Sequence, residues 1–330
     1  MLQLQNNTPF AVSTSLFPNE EAIDTLYVLV KGTFNIGKQW TLADEQLPPL
    51  EGDEYWGEPG ESSIKYASDY HTGKPGSDIV MLGHAFAPDG KKVHQLDVSL
   101  TLGQVHKAVR VFGDRYWQDG RISVPQPFST MAMTYEKAYG GAYIVNGETV
   151  TVEERNPVGC GYAGQHTTEE MNGTPLPNLE DPNDLISDLK HQPVPACFGV
   201  SAPHWRPRSA YAGTYDEAWK TSRLPYLPED FDRRFFNMAH PDLVYPGFLQ
   251  GGESVAVTNM HIGGPLHFQV PHVKLSANVL VAGNSVHPPF NLETLIIEPN
   301  KLKLGMVWRA AIQCNKQALK ISDIKVSMTR

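Results

Sequence analysis

Leu96-Asp97-Val98-Ser99-Leu100-Thr101-Leu102 alternates apolar and polar side chains without a break. Successive side chains of an extended chain point to opposite faces. The stretch therefore reads as a strand with Leu96, Val98, Leu100 and Leu102 turned inward and Asp97, Ser99 and Thr101 turned to water. Val109 and Val111 continue the pattern around Arg110. Near the end of the chain Leu302, Leu304, Met306 and Trp308 form one face, while Lys303 and Arg309 fall on the other. Half-buried strands of this kind belong to antiparallel sheets with one solvated face.

Turn chemistry agrees. Asp89-Gly90 separates the apolar run from Ile79 to Ala87 from a strand beginning near Val93. Asp119-Gly120 separates Arg115-Tyr116-Trp117 from Ile122-Ser123-Val124, and Asn146-Gly147 separates Tyr143-Ile144-Val145 from Thr149-Val150-Thr151-Val152. Each dipeptide tolerates the positive φ of a tight turn, so three hairpins are expected.

Helix signals are few and lie in the middle third. Thr214 with Glu217 reads as a capping box that opens a short helix through Trp219 to Arg223. Pro228-Glu229-Asp230 opens a second, with Phe231 and Phe235 one turn apart. Residues 183–189 are a third candidate. Residues 42–77 and 156–213 look irregular, and Tyr55, Trp56, Tyr66 and Tyr70 in the first of these favour a loop docked on the core. The expected fold is mainly β: an antiparallel β-sandwich-like architecture with a few short helices in the middle third, residues 1–330 forming a single large domain. The alternative is two β lobes, 1–155 and 250–330, bridged by a helix- and loop-rich segment, 156–249.

Composition narrows the functional classes. With 330 residues, 41% of them hydrophobic and 19% charged, the chain is globular and long enough for a sizeable core. Its 28 glycines and 26 prolines predict many turns, and 13 Tyr, 13 Phe and 6 Trp supply large apolar anchors. The net charge is −9, from 27 basic and 36 acidic residues, with no basic cluster suited to nucleic acid. That balance admits a basic protein partner. No apolar run reaches the length of a membrane span, and residues 1–10 lack the basic start and apolar stretch of a signal peptide. Cys160, Cys197 and Cys314 are too few and too scattered for a disulfide framework, which fits a reducing cytoplasm.

A search for chemistry returns little. Twelve histidines contain no pair at the close spacing of a local zinc clamp, and His267 and His272 fall on opposite faces of any strand. His84, His94 and His106 would need the fold to bring them together. Cys160, between Gly159 and Gly161 and near His166, is the strongest candidate nucleophile, but the glycines more simply mark turns around it. Glu180-Asp181 and the acids at 229, 230 and 232 lack the separation that two glycosidase carboxylates require, and the second group suits a helix start. Ala138-Tyr139-Gly140-Gly141 and Gly251-Gly252 lack a phosphate-loop fingerprint and read as turns or close backbone packing. No metal, cofactor or catalytic residue is assigned.

What remains is an ordered series of glycine, proline and aromatic clusters. Asp78-Ile79-Val80-Met81-Leu82-Gly83-His84-Ala85 comes first, then Lys107-Ala108-Val109-Arg110-Val111-Phe112-Gly113-Asp114-Arg115-Tyr116-Trp117 and Tyr135-Glu136-Lys137-Ala138-Tyr139-Gly140-Gly141. Arg155-Asn156-Pro157-Val158-Gly159-Cys160-Gly161-Tyr162, Leu176-Pro177-Asn178-Leu179-Glu180, Trp205-Arg206-Pro207-Arg208 and Ala212-Gly213-Thr214-Tyr215-Asp216 follow. Leu227-Pro228-Glu229-Asp230-Phe231-Asp232, Leu292-Glu293-Thr294-Leu295 and Val307-Trp308-Arg309 close the series. From Phe10 to about Val326 the chain resembles the bacterial family catalogued as domain of unknown function 2169. His84 and Tyr139 stand where that family commonly has a smaller or different residue.

Members of the family are encoded beside type VI secretion genes. The resemblance implies a cytoplasmic adaptor or chaperone, without a cofactor, that binds a PAAR-bearing effector or spike-tip protein and helps load it onto the VgrG spike. Neither nucleic acid nor membrane is an expected partner. Trp56, Trp117, Trp205 and Tyr211 are the candidate contact residues. The competing readings are a hydrolase on a β-sandwich scaffold, which requires convergent ionisable groups in a pocket, and a permanent spike or baseplate component.

Overall fold

The computed structural model describes residues 3–329. Its principal strands are β1 (Gln3–Asn7), β2 (Ala11–Pro18), β3 (Asp24–Asn35), β4 (Ser77–Met81), β5 (Gln95–Leu102), β6 (Val105–Phe112), β7 (Leu179–Glu180) and β8 (Val244–Tyr245). They continue as β9 (Ser254–Thr258), β10 (Leu266–Gln269), β11 (Lys274–Val281), β12 (Asn284–Val286), β13 (Asn291–Glu298), β14 (Lys303–Gln313) and β15 (Ile321–Thr329). Two short α-helices, α1 (Thr168–Met171) and α2 (Glu217–Ser222), lie in the middle third. The architecture is mainly β and sandwich-like, as expected.

The largest sheet draws strands from both ends of the chain in the order β8-β4-β13-β14-β3-β2, with Thr41–Leu42 added beside β3. Its pairings are antiparallel apart from β4 with β13. Register separates two faces. Leu26, Val28, Val30 and Phe34 of β3 stand beside Ile312, Ala310, Trp308 and Leu304 of β14, and all are buried in the main apolar core. The opposite face carries Lys31 and Arg309. A bulge in β13 lets Leu292 face Trp308 and Leu295 face Met306, so two residues, Glu293 and Thr294, sit between them. That extra residue turns Glu293 toward Arg309, whose Nε donates to its carboxylate at 2.7 Å.

The β5 alternation holds. β5 and β6 pair with Val98 beside Val109 and Leu100 beside Lys107, and the inner face joins the core while Asp97 and Arg110 form an ion pair on the outer face. These strands belong to a five-stranded sheet, β7-β6-β5-β9-β10. A four-stranded sheet, β1-β15-β11-β12, adds Val279, Val281, Ile324 and Val326 to the same core.

Five local expectations need correction. Arg309, expected on a solvated face, is buried at 3% exposure, because β14 lies inside its sheet and the 42–77 loop covers the second face. The Asp119 and Asn146 turns close hairpins, but Asp89-Gly90 does not: the strand before it, His84–Phe86, pairs with Thr130–Ala132. The turn between β5 and β6 is Gly103-Gln104 instead. The cap of α2 is Asp216, which accepts from the Trp219 amide at 2.8 Å, while Thr214 donates to Asp230. The second predicted helix is a 3₁₀ turn, Arg233–Phe236, capped by Asp232, and residues 183–189 form no helix. The capping box belongs to Thr167 and Glu170 of α1.

The 42–77 loop docks. Asp69 receives Lys31 Nζ at 2.8 Å, Tyr66 donates to Glu298 at 2.7 Å, and Ser63 donates to Glu136 through both its amide and its hydroxyl. Lys74 reaches Asp78 at 2.7 Å and Thr294 Oγ1 at 2.8 Å. The charges on this face are thus buried in mutual pairs.

Candidate functional site

Residues from distant parts of the chain converge on a cavity of about 260 Å³. Its floor is set by the charged face of the large sheet. Asp78, fully buried in β4, accepts from Asn237 Nδ2 at 3.0 Å and from the Met238 amide at 2.9 Å, and so fixes the segment from which Asn237 and Ala239 line the cavity. A carboxylate with several donors has its lone pairs satisfied and holds the backbone in one place.

One wall is the 3₁₀ turn Arg208–Tyr211. Side chains three residues apart eclipse in such a turn, so Arg208 and Tyr211 both face the cavity. Arg208 donates Nε to Phe235 O at 2.9 Å and Nη1 to Ser201 O at 2.5 Å. No carboxylate lies within ion-pair distance of it among the described residues. Burial lowers its pKa to about 10, against the pull of Asp78 and Asp53. Arg234 lies 4.3 Å over the Tyr211 ring, a cation–π contact that steadies both.

Arg155 and Arg206 complete the basic lining. Arg155 grips Glu153 through Nε at 2.7 Å and Nη2 at 2.6 Å, and Arg206 meets Glu154 at 2.5 Å. Val194, Pro195, Pro207, Pro241 and Val244 make the remaining surface largely apolar, and no carboxylate among the described residues lines it. His240 also lines the cavity, its pKa pushed down to about 4 by burial and by the Lys107 ammonium. Lys107 pairs with Asp242 at 2.9 Å. The cavity can hold an apolar side chain beside fixed positive charge.

The predicted contact residues separate. Tyr211 lines the cavity. Trp56 is 38% exposed on the 42–77 loop, with Lys65 Nζ 4.9 Å from its ring centroid. Trp117 and Trp205 are buried, at 3% and 1%, so neither presents a surface to a partner. Trp117 belongs to a small satellite core with Tyr139, Met171 and Leu176. Trp205 packs edge-on against Tyr135, which lines the cavity, and supports its wall from behind. The arginines of the lining were not singled out from the sequence, although Arg206 and Arg208 flank Pro207 in one of the quoted clusters.

The other candidates stay apart. Cys160 is held as a thiol, its pKa raised to about 11 by burial. His166 turns instead to the Tyr143 ring and to Glu170, 3.6 Å away. Gly159 closes a turn, its amide donating to Asn156 O at 3.2 Å, whereas Gly161 lies in a short strand: Cys160–Gly161 pairs in parallel with Tyr139–Gly140, where a Cβ on Gly140 would collide with the Asn156 carbonyl oxygen. His94 bonds Pro125 O at 2.6 Å and His106 meets Thr101 at 2.8 Å. Glu180 is ion-paired with Arg115, and Asp230 with Asp232 organises the local turn. No group of three or more His, Cys, Asp or Glu side chains is placed to hold a metal ion among the described residues. No helix among them is long and apolar enough to cross a membrane.

Comparison with curated proteins and with solved structures returns no match. A family profile described as "Uncharacterized protein conserved in bacteria (DUF2169)" matches residues 21–309, a span that includes the large sheet from β3 into β14 and every residue of the cavity. The chain belongs to that family of bacterial proteins.

Proposed function

We propose that this protein is a cytoplasmic adaptor of a type VI secretion system, one that holds a PAAR-bearing effector or spike-tip protein and helps seat it on VgrG. The observation that supports this most is the cavity: a concave, largely apolar surface walled by guanidinium groups and mounted on a rigid β scaffold. A spike protein awaiting assembly exposes apolar surface and strand edges, and a scaffold that covers them prevents aggregation. Holding must give way to release, so affinity is set by a few anchors and by charge, with VgrG competing for the same cargo.

Co-expression with a PAAR protein, followed by affinity capture and a solubility comparison, tests the proposal. The adaptor should raise the soluble fraction of its cargo and co-purify with it, and added VgrG should displace it. A cargo that is equally soluble alone and never co-purifies would refute the role. Co-sedimentation at fixed stoichiometry with assembled secretion particles would replace it with that of a permanent spike or baseplate component.

A further inference from the structure

Resting on the adaptor reading, we infer that the arginine-walled cavity and the adjoining hairpin form one groove for an extended, acidic peptide segment of the partner, anchored by a bulky apolar side chain in the cavity.

Charge supplies the first argument. The chain as a whole carries −9, which would favour a basic partner, yet Arg155, Arg206, Arg208 and Arg234 line the cavity and no carboxylate among the described residues does. Three of these arginines are matched by Glu153, Glu154 and Asp232, of which Glu153 and Glu154 line the adjoining hollows and are held there by Arg155 and Arg206. Arg208 is 8% exposed and hydrogen-bonds to backbone carbonyls only, so its charge lacks a carboxylate partner among the described residues. A buried guanidinium with neutral partners is a ready receptor for an incoming carboxylate.

Size and shape supply the second. At about 260 Å³ the cavity is below the roughly 300–1,000 Å³ of typical small-molecule pockets, which suits one side chain better than a whole cofactor. Val194, 52% exposed at the mouth, and Tyr211 offer apolar contact to such an anchor.

Continuity supplies the third. Two open hollows share Arg206 with the cavity and extend it past the Arg206–Glu154 pair toward Val152 and Thr149. These last two residues belong to the strand Glu148–Val152, which pairs only with Ala142–Val145 in an isolated two-stranded sheet among the described residues. Its far edge therefore has unpaired backbone donors and acceptors, and Ile144 and Val150, each 53% exposed, keep the hairpin apolar. An extended peptide running from the cavity would meet a strand edge able to pair with it.

The test uses the full-length protein. The variants are Val194→Glu and Tyr211→Ala at the cavity and Arg206→Glu on the groove, with Arg110→Glu on the outer face of β5–β6 as the control. Melting curves check that each variant is folded. Two readouts are run together: capture of the co-expressed PAAR protein, and fluorescence polarisation with a short labelled peptide of alternating glutamate and phenylalanine against its lysine counterpart. The expected result is capture and glutamate-peptide binding by the wild type and the control, a loss of about tenfold or more in the three groove variants, weakening with salt, and no binding of the lysine peptide. Capture that is unchanged in the groove variants overturns the inference and leaves the adaptor reading intact. Glutamate-peptide binding that depends on the groove, with no capture by the wild type, upholds the site and overturns the adaptor reading. Preference for the lysine peptide, or neither form of binding, overturns the inference.

Discussion

The two faces of the seven-stranded sheet are built from alternate residues of the same strands and are held by different forces. On one face Leu26, Val28, Val30, Phe34, Met306 and Ile297 pack into a continuous apolar core. On the other, Lys31, Asp78, Glu293 and Arg309 are equally buried but meet Asp69 and Lys74 of the docked loop in ion pairs and hydrogen bonds. Apolar burial is non-directional, so it stabilises the sheet without dictating what lies on top. Charge pairs are directional, and a buried charge left alone is costly. The charged face therefore positions the 42–77 loop and the segment around Met238, and through them the cavity.

The sharpest way to break this contrast is Asp78→Asn. It leaves the buried Lys74 ammonium without its ion-pair partner and bonded to the Thr294 hydroxyl, and it replaces an acceptor of the Asn237 and Met238 donors. The expected loss is about 3–5 kcal/mol, read as a lower denaturation midpoint, with hydrogen-exchange protection at Met238 falling ahead of the core strands. Replacing Lys74 and Asp78 together by Met and Leu should recover only part of this, because the Met238 amide still lacks its acceptor. Full recovery would show that the charge pair alone, and not the anchoring of the cavity floor, is what Asp78 contributes.

Protonation offers a second, intermediate test. The His71 ring is enclosed beside Arg309, with Nε2 3.0 Å from Nη2, and its pKa is driven well down by burial and by the Arg309 and Lys74 charges. His240 is depressed to about 4, by burial first and Lys107 second. A histidine whose folded pKa lies below its unfolded value of about 6.5 takes up a proton more readily when unfolded. Stability is therefore complete above about pH 6.5 and falls as pH drops toward the folded value. Melting temperature should fall by several degrees between pH 7 and pH 5, and a His71→Gln, His240→Gln double variant should flatten that slope. An unchanged slope would mean that these rings do not carry the dependence.

The smallest expected effect is on the apolar face. Ile297→Val removes one buried methylene and should cost about 1 kcal/mol, seen as a uniform loss of protection with no selective loosening at Met238. Selective loosening there would show that the apolar face also positions the cavity.

How much could be read beforehand follows the same division. The β5 alternation and the Asp119 and Asn146 turns were legible because each depends on neighbours in sequence. The run from Leu26 to Val30 in β3 gave no period-two signal, since a strand buried on both faces has no polar alternation to show. Asp89 does take a positive φ of 55°, as its turn chemistry implies, yet the strands on either side of that turn found other partners. Trp117 and Trp205 could be recognised as anchors, but not as core rather than contact, because a tryptophan looks the same in sequence in either setting.

The sequence by itself determined a β-rich chain with one apolar face per strand, a few tight turns and aromatic loops able to dock, because periodicity and turn geometry are local properties. Only the tertiary structure decided that the second face of the large sheet is buried and charged, and that arginines from separate loops wall one cavity. Arg309 meets the Asp69 carbonyl across 240 residues of chain. Which charges end up paired in the interior depends on such distant meetings, and no local pattern records them.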